Sequence, residues 1–568
     1  MEDIYNSESN SIWIVIRRMR APLLIIIITF AISILGFMLI VGKDNNGNPY
    51  HMSFFDAFYF VSYMASTIGF GELPYDFTYP QRIWTSITIF LDVIGWFYAI
   101  GTIVALIQDK RLAREISISR FKKKVNSLTE DFIIILGYNY ITKDIIHRLN
   151  RENIRVVVID KSEEKINELE LENFIPEVPA ILADASNPEV LKISGILKKN
   201  CKAVVALFGD DSKNAKIALL ARLLNKKVDV IVKSTTLEHT HNLKNIGIRH
   251  IENPFEVISK RIYNAFTKPH IWILEMWTYG HILKIRKREK LPKGKYIICG
   301  YGRMGKTLED SFQKAGIETV FIDLVAKEYR EIKQSTIYGD AEDTETLLKA
   351  GIKEAAAIVA ATQDDLINLT ILSTAKRLNP DIYTIARENT LEDISIFNAA
   401  KIDRIYILEK ILADVTFNFI AKPLVHKFIQ LIRTQDDEWG KETLEKIENI
   451  IENYNPILSE IDLNEDSAYA LYNELKNKKD IRLYHIKRSR EDFRKNLRLI
   501  FLLLKRENRV YLIPEENMKL EPNDKLLIAS DKESLIDFEY IINNYYELNY
   551  VVTGEEKSFG IFAKETAN

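Results

Sequence analysis

Ser66-Thr67-Ile68-Gly69-Phe70-Gly71-Glu72 is a short stretch with two glycines, set between two long apolar segments of a 568-residue chain. How it is read decides the architecture of everything before residue 110. Upstream, Ala21 to Val41 (APLLIIIITFAISILGFMLIV) carries no charge and is long enough to cross a hydrocarbon layer of roughly 30 Å as a helix. Downstream, Arg82 to Ile107 is again long enough, with one internal acid, Asp92. Arg17, Arg18 and Arg20 precede the first span, and Lys110, Arg111 and Arg114 follow the second. Basic residues favour the cytoplasmic side, so both ends should lie inside. Two spans already satisfy that topology. The apolar stretch Ser53 to Ser66, with Phe54, Phe55, Phe58, Tyr59, Phe60 and Tyr63, must therefore enter the membrane and return. A cleavable signal peptide would have a shorter apolar core and a small-residue cleavage site, which Gly42-Lys43-Asp44-Asn45 does not resemble.

The bulk properties fit a membrane domain joined to soluble ones. The length suggests about three or four domains. A net charge of -2 and a pI near 6.6 give no sign of a nucleic-acid surface, and no nucleic-acid partner is expected. Cys201 and Cys299 are the two cysteines, far from any pairing or zinc spacing, and read as buried strand thiols in a reducing compartment.

A re-entrant helix followed by Thr-Ile-Gly-Phe-Gly supplies what a cation pore requires. Backbone carbonyls must turn toward an axis to replace an ion's hydration shell, and glycines permit the dihedrals this demands. Non-helical backbone at membrane depth survives only where it lines a watery path. The stretch resembles the TVGYG signature of potassium channels, with Ile68 for Val and Phe70 for Tyr. That resemblance implies a selectivity filter at Thr67, Ile68, Gly69, Phe70 and Gly71, with K+ held at Thr67 to Phe70 and Thr67 adding its hydroxyl. One filter strand per chain implies a homotetramer embedded in lipid. A turn in an external loop would share the glycines but not the flanking spans. Within the second span, Gly95 reads either as the gating hinge the resemblance implies or as a close-packing residue. Asp92 reads as a cavity-facing charge or as a hydrogen-bonded partner near the pore helix.

From Leu112 to Val125 the pattern is helical and basic, as in a linker leaving a membrane. Beyond it, short Ile- and Val-rich runs alternate with amphipathic stretches, as in a wound βαβ sheet. The predicted strands are Phe132 to Leu136, Val156 to Ile159, Ala180 to Leu182, Ala203 to Phe208 and Val228 to Val232. The order recurs as Tyr296 to Cys299, Thr319 to Ile322, Ser335 to Tyr338, Ala357 to Ala361 and Ile382 to Ala386. Gly137 and Asp160 recur as Gly300 and Asp323. Asp211, Asn214 and Lys233 recur as Asp365, Asn368 and Arg387. The region from about 131 to 550 resembles tandem RCK domains, the regulators of potassium conductance also known from bacterial potassium-uptake regulators. The likeness includes a helical crossover after each Rossmann unit (Pro254 to Phe266, Lys410 to Phe428). It extends to a terminal lobe with Tyr511-Leu512-Ile513-Pro514 and Leu520 to Leu526, read as strand, turn and strand.

In the second repeat, strand Ile297-Ile298-Cys299 runs into Gly300-Tyr301-Gly302-Arg303-Met304-Gly305 and a helix, with Asp323 closing the next strand. This is the complete dinucleotide fingerprint: a tight turn at Gly300, approach of a pyrophosphate at Gly302, helix–sheet contact at Gly305, and ribose recognition by Asp323. The RCK resemblance adds Asp340 and Ala341 near the adenosine half, Thr362 after the fourth strand, and Arg387 for phosphate. Arg387 could instead pair with Glu388 or Glu392 at a surface. The first repeat reads Gly137-Tyr138-Asn139-Tyr140-Ile141-Thr142, so a pyrophosphate would be crowded and no dinucleotide is expected. Asp160 and Asp184 persist, which leaves a mononucleotide or a purely structural role open. The acid pairs Asp210-Asp211 and Asp364-Asp365 could hold Ca2+, or could cap the helices that follow them.

The expected architecture is a membrane α-helical pore domain (two spans plus a re-entrant pore helix) joined to α/β tandem Rossmann-like RCK domains and a C-terminal α+β lobe. Its segments are 1–20 N-terminal, 21–108 pore, 109–130 linker, 131–294 first RCK domain, 295–433 second RCK Rossmann domain with crossover, and 434–568 C-terminal subdomain. The expected function is a potassium-selective channel of the cell membrane with both termini cytoplasmic. NAD, ADP or ATP would regulate it, with Ca2+ as a further candidate ligand. No segment offers a hydride-transfer pocket or an acid-base histidine near the second crevice, which argues against an enzyme. The rival readings are a gating subunit of a potassium transporter and a membrane-anchored nucleotide-dependent oxidoreductase.

Overall fold

The computed structural model describes residues 10–282, 285, 290–324, 335–389, 394–451 and 456–555. The chain divides into two compact units, one built on the residues up to Thr129 and the other from Glu130 on.

In the first unit, helix α1 spans Asn10–Leu39, α2 Phe54–Ala65, α3 Tyr79–Ile107 and α4 Lys110–Asn126. Met19–Leu39 and Tyr79–Ile107 are long and apolar enough to cross a membrane. Hydropathy marks the membrane segment of α1 and not its start, because the polar residues before Ala21 continue the same helix. With its 12 residues, α2 reaches only about 18 Å, too short to span. Ser53 fixes its start. Its hydroxyl oxygen accepts from the Asp56 amide at 3.2 Å and donates to the Asp56 carboxylate at 2.6 Å, a reciprocal cap of about 1 kcal/mol.

An aromatic cluster holds α2 against α1 and the chain entering α3. Phe37 meets Phe60 edge-on at 4.9 Å, and Phe60 lies 4.8 Å from Phe77. Met52, Val61 and Met64 complete this core. Two glycine-sized gaps seat the helices. A Cβ on Gly36 would fall on the Trp84 ring, and one on Gly42 would meet the Gln81 amide at 2.8 Å.

The second unit contains two six-stranded parallel sheets. The first is formed by β1 Phe132–Leu136, β2 Arg155–Asp160, β3 Ala180–Leu182, β4 Cys201–Ala206, β5 Asp229–Lys233 and β6 His250–Glu252, in the order 3-2-1-4-5-6. The second repeats it with β7 Tyr296–Cys299, β8 Thr319–Asp323, β9 Ser335–Tyr338, β10 Ala357–Ala360, β11 Tyr383–Glu388 and β12 Arg404–Ile407, in the order 9-8-7-10-11-12. Both are doubly wound dinucleotide-fold sheets, whose crevice opens where the strand order reverses. The central strands Phe-Ile-Ile-Ile-Leu and Tyr-Ile-Ile-Cys are buried throughout, as strands covered on both faces must be. Both cysteines are buried and unpaired.

Several elements differ from the expectation. Each sheet has a sixth strand, β6 and β12, and β4 begins at Cys201, two residues ahead of the predicted Ala203. The crossover predicted from Lys410 to Phe428 is two helices, Leu408–Ala421 and Pro423–Ile432, because Pro423 has no amide to continue the first and starts the second. The first crossover breaks the same way at Pro269, giving Pro254–Thr267 and Pro269–Thr278. An antiparallel four-stranded sheet follows, from β13 Ile457–Asp462, β14 Leu499–Arg506, β15 Arg509–Leu512 and β16 Lys525–Ser530, in the order 13-16-14-15, and the helices Lys532–Asn543 and Tyr545–Thr553 come after it.

A buried ion cluster fastens the first crossover to the second. Glu275, with no exposed surface, accepts from Arg261 Nε at 3.3 Å and from Arg433 Nε and Nη2 at 3.1 and 2.7 Å. Burial pushes its carboxyl up, but Arg433 and then Arg261 overcome this and hold it below the ordinary carboxylate range.

Candidate functional site

The stretch after α2 adopts the backbone its residues suggest. Thr67, Gly69 and Gly71 have φ of 62°, 65° and 101°, every second residue in the left-handed region. Thr67 pays a steric penalty there that the glycines do not. Ile68 and Phe70 are 60% and 64% exposed in the single chain. The Tyr63 hydroxyl donates to the Gly71 carbonyl, and its ring meets Phe70 edge-on at 5.5 Å. Behind the outer end, Glu72 accepts from Arg82 Nε at 2.9 Å and from the Phe77 amide at 2.7 Å. Tyr63 and Glu72 thus brace the loop, a role that residue types alone did not reveal.

The two residues singled out in α3 face α1. Asp92 has no exposed surface even in the isolated chain, and the Ser33 and Thr29 hydroxyls of α1 surround it. A carboxylate facing a central cavity would be open in a single subunit, so the cavity expectation for Asp92 is corrected to a buried inter-helix position. A Cβ on Gly95 would meet Thr29 Oγ1 at 3.2 Å and Ile25 at 3.7 Å, which is helix packing.

In the second Rossmann repeat the glycine loop turns from β7 into the helix Arg303–Lys314. Gly300 has φ of 101°, and a Cβ there would lie 3.3 Å from the Ala361 carbonyl and the Thr362 amide. A Cβ on Gly305 would fall on the Gly300 carbonyl oxygen. Gly302 is the helix N-cap, with nothing within 4 Å of its Cβ position and no side-chain cap on the first-turn amides. An anion can approach such a terminus. Asp323 Oδ2 accepts from the Tyr301 amide at 2.6 Å, tying the end of β8 to the loop.

The other predicted residues divide. Tyr301 and Met304 are turned into the core, Tyr301 donating to Glu309 at 2.7 Å, so only their backbones border the crevice. Asp340 is exposed beyond β9 beside the buried Ala341. Thr362 is engaged with Asn368, its hydroxyl donating at 2.8 Å. Arg387 is 4% exposed, with Nη1 at 3.4 Å from the Ala361 carbonyl and Nε without a hydrogen-bond partner among the described residues. This is not the exposed ion pair weighed as its alternative, and Glu392 lies outside the described residues. Burial, and then the nearby Arg303, lower the Arg387 guanidinium to about 10.

Three residues of the first repeat join this site: Phe255 and Thr235, which no local sequence signal marks, and Lys233, the repeat counterpart of Arg387. Arg303 and Arg387 lie 5.3 and 5.2 Å from the centre of the Phe255 ring. Arg303 Nη1 donates to Thr235 Oγ1 at 2.9 Å. Lys233 is lowered by burial, with Arg303 and Arg387 among the charges around it.

The first crevice is built differently. Asn139 caps its own helix, Tyr140–Arg151, its side chain accepting from the Thr142 amide at 3.0 Å. The Thr142 hydroxyl donates to the Gly137 carbonyl at 2.9 Å. The Thr142 amide at this helix start is therefore already engaged by a side chain. A Cβ on Gly137 would lie 2.5 Å from the Phe208 ring, which covers the loop. Both acid pairs act as caps and braces. Asp210 accepts from the Ser212 and Lys213 amides and Asp364 from the Ile367 amide, while Asp211 and Asp365 accept from Thr235 and Asn389. Among the described residues no group of three or more His, Cys, Asp or Glu could hold a metal ion.

Two helices long and apolar enough to span a membrane, with a braced loop between them, are thus followed along the chain by two doubly wound domains. The comparisons agree. Residues 23–109 match the ion channel family, and residues 133–254 and 296–408 each match the TrkA-N domain. The chain thus carries, in order, a stretch similar to ion-channel domains and two stretches similar to TrkA-N domains. It is 32% identical over 166 residues to potassium channel protein 1 of Methanocaldococcus jannaschii, covering 28% of this chain and 50% of that one. It is 26% identical over 266 residues to an uncharacterized protein of Methanothermus fervidus, covering 47% of this chain and 39% of that one. The chain thus spans half or less of the length of these relatives. The solved structure of the GsuK channel bound to NAD is similar over 94% of this chain and 99% of that one, at 16% identity and a TM-score of 0.48. Of these relatives, the Methanocaldococcus jannaschii protein is described as a potassium channel.

Proposed function

We propose that this chain forms a potassium-selective channel, a homotetramer in the cell membrane with both termini cytoplasmic, regulated by a nucleotide in the second Rossmann crevice. The observation that carries the pore reading is the loop of alternating left-handed residues at Thr67, Gly69 and Gly71, seated by a half-span helix between two spanning helices. Alternation of this kind lets successive carbonyls of Thr67 to Phe70 face one axis and replace the water around K+.

The nucleotide reading rests on the uncapped helix terminus at Gly302 and the buried, under-partnered Arg387 beside it. A pyrophosphate, as in NAD or ADP, would accept from the first-turn amides and neutralise Arg387 and Arg303, with Asp323 toward the ribose and Asp340 and Ala341 toward the adenosine half. Such a ligand changes gating only by binding one arrangement better than another. The acid pairs are engaged as caps, which supports capping over calcium at those positions.

Single-channel recording in planar bilayers tests both parts. Purified chain should pass K+ in preference to Na+, and NAD or ADP on the cytoplasmic side should change the open probability. A gating subunit of a separate transporter would conduct nothing alone.

A further inference from the structure

The crossover helix of each repeat packs on the Rossmann unit of the other. Ser259 donates to the Thr307 carbonyl at 2.9 Å, and Arg148 donates to Asp414 at 2.6 Å. Beside β12, at the edge of the second sheet, the first crossover leaves a cavity of about 220 Å3. The glycine loop Gly300 to Gly305 forms none of its walls. Three cations do: Arg261 from the first crossover, Arg404 from β12, and Lys410 from the first turn of the helix Leu408–Ala421. Met276, Ile407 and Ile411 supply an apolar side.

The positive charge here exceeds what the protein neutralises. Arg261 is 2% exposed and donates through Nε to Glu275, but Glu275 also serves Arg433. Arg261 Nη2 is buried and has no hydrogen-bond partner among the described residues. Such a group is costly unless something accepts from it. Lys410 forms no ion pair among the described residues. The acids close by are committed: Asp403 accepts from the Thr384 amide at 2.8 Å and pairs with Lys376 at 3.2 Å, while Asp414 holds Arg148 and lies 3.2 Å from His281. Aromatic faces steady the guanidinium groups without cancelling their charge, Tyr279 at 4.7 Å from Arg261 and Trp272 at 4.8 Å from Arg404.

The tandem repeat provides an internal control. Aligning Asn264 to Pro269 with Asn418 to Pro423 sets Arg261 against Val415, Arg404 against His250 and Lys410 against Glu256. At the matching place on the other crossover, the Phe419 ring lies 3.7 Å from His250. None of the three cations is therefore demanded by the fold, and they gather on one side of a duplicated arrangement.

We infer that this cavity binds a small dicarboxylate, its carboxylates held by Arg261, Arg404 and Lys410 and its carbon spine against Met276, Ile407 and Ile411. Guanidinium forks match carboxylates in geometry as well as charge. The volume exceeds the roughly 150 Å3 that admits benzene and falls short of the roughly 300 Å3 at which drug-sized sites begin, so the ligand has a short spine and is no nucleotide. Because the walls come from both repeats, the bound anion ties the first crossover to the second sheet. Nothing in this inference depends on a nucleotide in the second crevice.

The test is equilibrium binding of radiolabelled malonate, succinate and glutarate to the full-length protein in detergent and chloride buffer. At least one should bind with one site per chain and raise the melting temperature at saturation. Lys410→Met and Arg404→Met should each weaken it at least tenfold, with NAD binding unchanged. Butyrate, which has a spine but one carboxylate, and inorganic phosphate, which has charge but no spine, should each compete at least tenfold more weakly. Gly305→Val should leave dicarboxylate binding in place. Should Arg404→Met not fold, Lys410→Met, at an exposed position, carries the measurement. The inference is overturned if none of the three dicarboxylates binds, if Lys410→Met binds as well as wild type, if butyrate or phosphate competes equally, or if Gly305→Val abolishes binding.

Discussion

Replacing Arg387 with methionine should strengthen the empty protein and weaken its ligand complex, and this opposition of signs follows from the site's geometry. The guanidinium is almost wholly buried, and its lowering to about 10 corresponds to a desolvation cost on the order of 3 kcal/mol. Against this stand a cation–π contact with Phe255 at 5.2 Å, worth about 1 kcal/mol, and a long hydrogen bond to the Ala361 carbonyl, worth about 1 kcal/mol or less. Arg387→Met removes all three and fills similar volume, so the empty protein should gain about 1 kcal/mol, or roughly 2–4 °C in melting temperature for a domain of this kind. A folded-state value below the unfolded one places this cost at neutral and lower pH, and the gain should fade as pH rises through about 10. With ligand the sign reverses. A charge-assisted contact to phosphate is worth about 1.5–3 kcal/mol, so NAD or ADP should bind about 10- to 100-fold more weakly. Differential scanning calorimetry of the full chain with and without nucleotide, paired with isothermal titration, reads both effects. A variant that melts lower when empty and binds nucleotide as tightly as wild type would refute the reasoning.

Three further outcomes follow from other parts of the structure. Glu275→Gln should cost about 3–5 kcal/mol in chemical denaturation, because Arg261 and Arg433 lose their shared buried charge. The lowered carboxyl makes wild-type stability from this cluster present above the ordinary carboxylate range and lost as pH falls, a dependence the variant should lack in a pH series of melts. Gly305→Val should abolish NAD and ADP binding by calorimetry while leaving the circular dichroism of the fold in place, since its side chain would displace the Gly300 carbonyl. Tyr63→Phe removes the hydroxyl that holds the Gly71 carbonyl, and reversal potentials under bi-ionic conditions should show reduced preference for K+ over Na+.

The features legible in the sequence were those with a local physical cause. Phe132-Ile133-Ile134-Ile135-Leu136 can only be a strand buried on both faces, and Gly300, Gly302 and Gly305 stand where a side chain would collide or block an anion. Tandem order made each repeat a check on the other. The missed features depend on what lies across space. His250–Glu252 is a three-residue edge strand with polar ends, too short to show a period. Pro423 did mark a helix start, yet the apolar residues on both sides masked the break. Asp92 and Gly95 announce that something is unusual in a membrane helix, but which face they occupy is set by Thr29 and Ser33 of α1. The convergence of Arg303 and Arg387 on Phe255 joins residues 48 and 132 positions beyond it in the chain, and only the packing of the two repeats brings them together.

The central claim is that Thr67 to Gly71 conducts potassium in a chain that needs no partner. Valinomycin-calibrated potassium flux from liposomes holding only the purified protein measures this most directly. The account predicts K+ flux with little Na+ flux, lost on Gly69→Ala because its φ of 65° disfavours a side chain. Absence of flux from correctly assembled protein, or equal flux of K+ and Na+, would contradict it.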